Sequence, residues 1–358
     1  MPLSDVMTGI LMTLAAVLAA EDPVCIELNG AVYGARADER GPIGGGSGYV
    51  PAVTSGEITA DTLETLIDAL AKAEPGETVF VPGGAEIDFT TFVYIDKFVL
   101  EIPGGVTLAS DRGVNGSPGA LLFSDALDTC PLIRVTGPEV RISGLRIRGP
   151  NSKRYLDHHR RAFGEGGGGH SYYYKFPVQE GIATEHGGLE IDNCEISGFG
   201  HAGVYLDKGE NHRIHHNYIH HCQYNGLGYG ISHDEASSII EHNLFDWNRH
   251  SIAGTGRSGC SYIARHNVEL GTSLSHCFDM HGGRDREDGT DIAGTRIAIH
   301  NNTFRAPQTP IAIRGVPEEV CEVYGNWFSR HAPGKAVDAG RNTSVRDNAY
   351  GANPVQGE

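Results

Sequence analysis

Positive charge is scarce in this chain: 28 lysines and arginines face 45 aspartates and glutamates, for a net charge of −17 with histidine neutral. A surface of that sign argues against nucleic acid or an anionic membrane as the main partner. Only six of the basic residues are lysine, a skew that says nothing about activity. Close cysteine pairs are missing as well. Seven cysteines without a C-x-x-C spacing signal neither a disulfide framework nor a zinc cluster, and buried free thiols are expected for most of them. No apolar stretch reaches the roughly 20 residues of a membrane-spanning helix, so membrane insertion is not expected. The run Met7 to Ala20 comes nearest, but Asp5 precedes it and no basic residue does. Met7, Ile10, Leu11, Leu14, Val17 and Leu18 share one helical face, which predicts a capping helix in preference to a secretion signal. Location is left open, an extracellular or cell-surface site included.

What is present is a repeat. An aliphatic residue is followed three positions later by an anchor, usually Asn, and two positions after that by another apolar side chain. The copies are Ile142/Leu145/Ile147, Ile191/Cys194/Ile196, Ile214/Asn217/Ile219, Ile240/Asn243/Phe245, Ile299/Asn302/Phe304, Val323/Asn326/Phe328 and Val345/Asn348/Tyr350, with a weaker one at Asn267. From Cys194 the anchors step by 23, 26, 24, 35, 24 and 22 residues. A period in the low twenties, carried by short alternating strands with no helical pattern, predicts a parallel β-helix in which each copy is one turn. Asn at a fixed point of each turn can bond to its stacked neighbours and to tight-turn backbone.

The chain reads as one all-β solenoid domain over 58–350, preceded by a cap and extended arm over 1–57 and followed by a tail over 351–358. With 39% apolar residues it can bury a large core, and its 49 glycines suit tight turns. Ile58 to Ala73 has helical spacing and ends at Pro75-Gly76. Two stretches break the period, Pro150 to Glu180 and Gly282 to Asp291. Insertions in solenoids collect on one face, often the binding face, and the His, Tyr and Arg content of these two predicts groove walls.

A second strand follows each anchor at a near-constant offset. Aligned, these read Ile182 to Glu185, Val204 to Asp207, Ile231 to Asp234, Ile252 to Thr255, Phe278 to His281 and Ile311 to Arg314. Strand alternation turns the first and third positions inward and the second and fourth outward. The fourth position is then a surface column of Glu185, Asp207, Asp234, Thr255, His281 and Arg314, with Tyr205, Ser232 and Asp279 alongside and Lys208, Arg257 and Arg284 flanking. Carboxylates, a His and an Arg on one strip should push one another's pKa values apart. Alternation sends His233 inward unless a bulge turns it out. Glu185, Asp207, Asp279, Lys208, Arg257, Arg284 and, from the first insertion, Tyr173 are candidate substrate-binding residues. No cofactor is expected beyond a divalent ion, calcium above all, for which Asp207, Asp234 and Asp279 with His281 offer ligands. His215, His216, His220 and His221, around the anchors, read as structural.

At Gly228-Tyr-Gly-Ile-Ser-His-Asp-Glu-Ala-Ser237, followed by Ile240 and Asn243, the chain resembles the right-handed parallel β-helix enzymes that act on uronate polymers, pectate-lyase-like in architecture and locally similar to the mannuronan epimerases. Their signature is a Tyr-Gly-Ile/Phe stretch leading into Asp-Pro-His-Asp or Asp-Pro-His-Glu. Here His233 and Asp234 match its last two residues, Ser232 stands in place of Pro, and the leading Asp is missing. The likeness in architecture covers about residues 58 to 350. It implies a right-handed fold, an acidic polysaccharide as partner, and removal of the proton beside a sugar carboxylate by a lyase or epimerase. His281 or His233 would then be the base, Arg314 or Arg257 the neutralising cation and Tyr205 a proton donor, with Asp234 in the same catalytic strip. A glycoside hydrolase would instead use two of Asp207, Asp234 and Asp279. A non-catalytic carbohydrate-binding solenoid would need only the groove.

Overall fold

A computed structural model describes residues 23–357. The capping helix expected over Met7 to Ala20 lies outside the described residues. Within them the chain winds as a right-handed parallel β-helix, each turn contributing short strands to three faces. One face holds the anchor strands, such as Glu190–Asp192, Ser261–Arg265 and Arg296–His300. A second holds the strands just after each anchor, Glu195–Ser197 through Asn348–Tyr350. The third face, termed here the groove face, stacks Glu180–Thr184, the first half of Ala202–His215, the first half of Tyr229–Glu241, His250–Gly254, Phe278–Met280 and Ile311–Ile313. Two long strands run from the groove face onto the anchor face, with a register shift between Gly209 and His212.

The anchor earns its place at a corner. The residue before it adopts a left-handed conformation in turn after turn, at Asn193, His216, His242, His266, Asn301 and Asp347 with φ of 50° to 56°. Such a kink turns the Asn side chain inward, where it replaces the hydrogen bonds a corner cannot make. Nδ2 of Asn217 donates to the Ile191 carbonyl at 2.9 Å and to Oδ1 of Asn243 at 3.0 Å. The same step repeats through Asn267, Asn302, Asn326 and Asn348. Asn267, the weak copy, is a full member of this ladder. Its apolar partner is replaced by Glu269, which lies in register between Phe245 and Phe304 and is fully buried.

Inside, one continuous core of Val, Ile, Leu and Phe runs from Ala60 to Tyr350. Each fully buried aliphatic or Phe side chain is worth about 1.5–3 kcal/mol relative to exposure. The helix Leu63–Lys72 starts where Thr62 and Thr65 form a reciprocal cap, and it buries Leu63, Leu66, Ala69 and Leu70 over the first turn. At the other end Val355–Gly357 pairs antiparallel with Asn348–Tyr350, so the tail closes the second face. The arm forms a hairpin, Cys25–Leu28 with Ala31–Gly34, and then runs along the ladder corner. There Gly34 bonds Gly325, Gly44 bonds His242 and Gly46 bonds Asn193. The arm covers that corner and leaves the groove face open.

Candidate functional site

Cross-strand register puts the fourth-position residues in line. Leu206 pairs with His233 and Lys208 with Glu235, so Asp207 and Asp234 stand on adjacent turns; His233 pairs with Gly254, which brings Thr255 next. Met280 pairs with Ile313, which sets His281 beside Arg314. Turns are about 4.8 Å apart. Tyr205 and His281 are therefore three turns, roughly 14 Å, from each other, too far to act on one sugar ring. The strip divides into two clusters.

The first is built on Asp207 and Asp234. Asp234 accepts the Thr255 hydroxyl at 2.7 Å and both of its oxygens meet Nη1 of Arg257, at 2.8 and 2.6 Å. Gly256, at φ 75°, makes the turn that sends Arg257 back over Asp234; a Cβ there would stand 1.8 Å from the His281 carbonyl oxygen. Asp207 has no guanidinium. It accepts the Tyr205 hydroxyl at 3.3 Å, and its carboxyl is pushed up by burial and by the charges of Asp234 and Glu185, against smaller opposing effects of Tyr205 and Lys208. Burial and the two aspartates also raise the Tyr205 phenol, which stays protonated. A groove of ≈ 320 Å³ opens beside them, lined by Arg134, Glu180, Glu185, His186, Tyr205 and Asp207. Among the described residues Arg134, Lys208 and Arg284 have no ion pair.

The second cluster surrounds Asp279, whose side chain is fully buried. Arg314 grips it with Nε at 3.1 Å and Nη2 at 2.7 Å, while Nη1 reaches Asp285 at 2.9 Å. Three imidazoles close around the same carboxylate: His281 Nε2 at 3.0 Å, His276 Nδ1 at 3.5 Å and His250 Nε2 at 3.7 Å. Burial alone would raise Asp279, but His250, His276 and His281 carry its carboxyl well below the usual range. Burial drives His250 down to about 3. Tyr229 stacks on His250 and meets His281 edge-on at 6.3 Å between ring centroids, its phenol pushed up to about 12 by burial.

The two insertions flank this face. The first folds as two helices, Leu156–Phe163 and Gly169–Tyr173, and is tied to the loop before Tyr229 by Gln223 to Ser152 and by Asn225 to Arg154. The second carries the short helix Gly283–Arg286, held by Arg286 to the Thr255 carbonyl and by Asp285 to Arg314.

Several expectations need correction. His233 points inward and is fully buried; its Nδ1 donates to the Ala253 carbonyl at 3.0 Å and its Nε2 meets the Ser238 hydroxyl at 2.7 Å. Neither nitrogen is free for a substrate, so it is a packing residue. Tyr173 is likewise buried, in an aromatic cluster with Tyr155, Phe176 and Tyr224, and its hydroxyl bonds the Asn225 carbonyl; Tyr172 and Tyr174 are the exposed members of that run. Arg257 and Arg314 are each committed to an aspartate. Asp207, Asp234 and Asp279 do not converge on one ion, since Asp279 lies two turns beyond Asp234, roughly 10 Å.

Alignment from the first apolar residue of each strand leaves out Tyr229, His250 and His276. Each of the three stands two places earlier, and Tyr229 and His250 are direct register partners. An aromatic or His two positions before Ile231, Ile252 and Phe278 was the available signal.

Comparison with known proteins bears on the fold. A family model described as right handed beta helix region matches residues 180–350. No curated protein matches the chain. Among solved structures, an alginate lyase from Paenibacillus sp. str. FPU-7 is 16% identical, with a TM-score of 0.43, over 82% of this chain and 97% of that one. The Dettilon tailspike protein is 16% identical, with a TM-score of 0.46, over 84% of this chain and 57% of that one. A family 28 exopolygalacturonase from Yersinia enterocolitica is 11% identical, with a TM-score of 0.37, over 84% and 64%. Residues 180–350 are thus a right handed beta helix region, and the described chain carries the right-handed parallel β-helix that its sequence resembles.

Proposed function

We propose that the groove face binds a uronate-containing polysaccharide and hydrolyses it with Asp207 and Asp234. The observation that carries this reading is the unlike environment of two carboxyls on adjacent turns. Asp207 is pushed up by burial and by Asp234 and Glu185, which suits a proton donor, whereas Asp234 is matched by Arg257. Asp207 gives its proton to the glycosidic oxygen as the bond to the anomeric carbon breaks, Asp234 forms a bond to that carbon from the other side, and a water then displaces Asp234 while returning a proton to Asp207. Arg134 and Lys208, uncommitted and beside the groove, suit the sugar carboxylates, so the partner is an acidic glycan although the whole chain is acidic. The test is digestion of a panel of uronate and neutral glycans. New reducing ends without ultraviolet-absorbing products, abolished in Asp207→Asn, are expected; unsaturated products from the parent protein would overturn the reading.

Elimination or epimerisation is the second reading, and one observation favours it. Of its five N–H groups Arg314 commits three and leaves two, and it lies near Tyr229 and His281. A cation, a phenol and an imidazole in one place are what proton removal beside a carboxylate needs. Ultraviolet-absorbing products lost in Tyr229→Phe, with Asp207→Asn still active, would favour it over hydrolysis.

A further inference from the structure

The cluster around Asp279 holds imidazole nitrogens that no hydrogen bond uses. His250 has a side chain 1% exposed, and its Nδ1 lies 2.6 Å from the His276 carbonyl. A carbonyl only accepts, so Nδ1 carries the proton and the lone pair of the neutral ring sits on Nε2. That Nε2 is buried, faces Asp279 and has no hydrogen-bond partner. His281 Nε2, 3.0 Å from Asp279 Oδ2, is also unpartnered because it is badly aligned with the oxygen. Near but misaligned ligand atoms fit a shared third point better than they fit each other. One ligand atom from each of His250, Asp279 and His281 lies within 4.8 Å of the others. Two atoms bound to one ion at roughly 2.1 Å in tetrahedral or octahedral geometry stand about 3.0–3.4 Å apart. The observed contacts to Asp279, 3.0 and 3.7 Å, bracket that spacing.

We propose that His250, Asp279 and His281 form a binding site for a divalent transition-metal ion such as zinc, with His276 at its edge. Two imidazoles and one carboxylate select this class over calcium, which prefers an all-oxygen shell. The bond from His250 to a backbone carbonyl is the outer contact that orients ligating histidines. Arg314 takes two of the carboxylate's roughly four acceptor positions and leaves the others for the ion. Together the ion and Arg314 outweigh Asp279 and Asp285, so positive charge is left over at the groove surface for an anionic sugar group. That consequence rests on the polysaccharide reading; the metal site does not. In the similar cluster Asp38, His216 and His242 the histidine nitrogens already have partners, His216 Nε2 meeting Asp38 at 3.2 Å and His242 Nδ1 lying 3.5 Å from Arg40, whereas Nε2 of His250 and of His281 has none.

The test uses the full chain stripped with a chelator and then titrated with Zn²⁺ by calorimetry and with Co²⁺, whose visible spectrum reports imidazole coordination. About one equivalent should bind, raise the melting temperature and resist displacement by excess Ca²⁺. His281→Ala removes a partly exposed ligand and should weaken binding by at least about 100-fold. His242→Gln should leave binding intact. His250→Gln risks unfolding its strand, so the Co²⁺ spectrum of the parent stands in for that variant. No binding by the parent, binding untouched in His281→Ala, or binding lost in His242→Gln would each overturn the site. Asp207→Asn should keep the metal and lose hydrolysis, so a failure of the metal site and a failure of the hydrolase reading look different.

Discussion

Asp207 and Asp234 stand on adjacent turns of one outward column, yet only Asp234 is held by a guanidinium, that of Arg257. The same residue type at equivalent positions thus carries unlike charge environments, which is how one surface can supply both an acid and a base.

Hydrolysis should fall with rising pH as Asp207 loses its proton. Because Glu185 helps to raise Asp207, Glu185→Gln should shift that alkaline limb to lower pH without moving the acid limb. Asp207→Asn should lower turnover by roughly 10²–10⁴-fold with the glycan still bound. Reducing-end release across pH checks both, and an alkaline limb unmoved in Glu185→Gln would separate it from Asp207.

His233→Ala should lower the melting temperature and leave turnover near that of the parent. The imidazole fills interior space and joins Ala253 to Ser238, so its loss leaves a cavity and two unmatched groups, on the order of 2–4 kcal/mol. Paired melting and rate measurements decide it; a stable variant with a collapsed rate would return His233 to the catalytic list.

Glu269→Met should stabilise the protein. Its carboxyl is fully buried between Phe245 and Phe304, and neither oxygen has an aligned donor although the Ser251 hydroxyl is near; burial raises its pKa well above the ordinary value. A raised acid binds its proton more tightly folded than unfolded. Its contribution is therefore intact below the unfolded pKa of about 4.3 and is lost as pH rises toward the folded value. Glu269→Met should remove that loss, so the gain over the parent should be larger at pH 8 than at pH 4 in thermal melts.

Asn243→Ala should cost on the order of 2–4 kcal/mol, since the Asn243 amide bonds the Ile214 carbonyl and Asn267 Oδ1 and receives Asn217. Urea unfolding gives the number. A loss no greater than that of an exposed Asn→Ala would mean that the ladder decorates the corner without holding it.

The repeat was legible because a solenoid writes its period into the chain: Ile214, Asn217 and Ile219 recur as Ile240, Asn243 and Phe245 for the same reason that one turn must stack on the next. Alternation from those anchors was enough to order Asp207, Asp234, Thr255, His281 and Arg314 along one face. It also sent His233 inward, where burial and two hydrogen bonds hold it. Asn267 was harder to read because its apolar partner is Glu269, and only the stacked amides show that the ladder passes through it.

Distance and pairing belonged to the tertiary structure. No sequence offset says that Arg314 reaches back 35 positions to Asp279, or that Arg257 folds over Asp234 through the turn at Gly256. Nor does it show His250, His276 and His281 meeting on one buried carboxylate, because each comes from outside the four aligned positions or from another turn. Local sequence determined which side chains face out, since a strand alternates by geometry alone. Which of them touch, and which share a charge, was decided by the rise between turns and by the two insertions that close around the face.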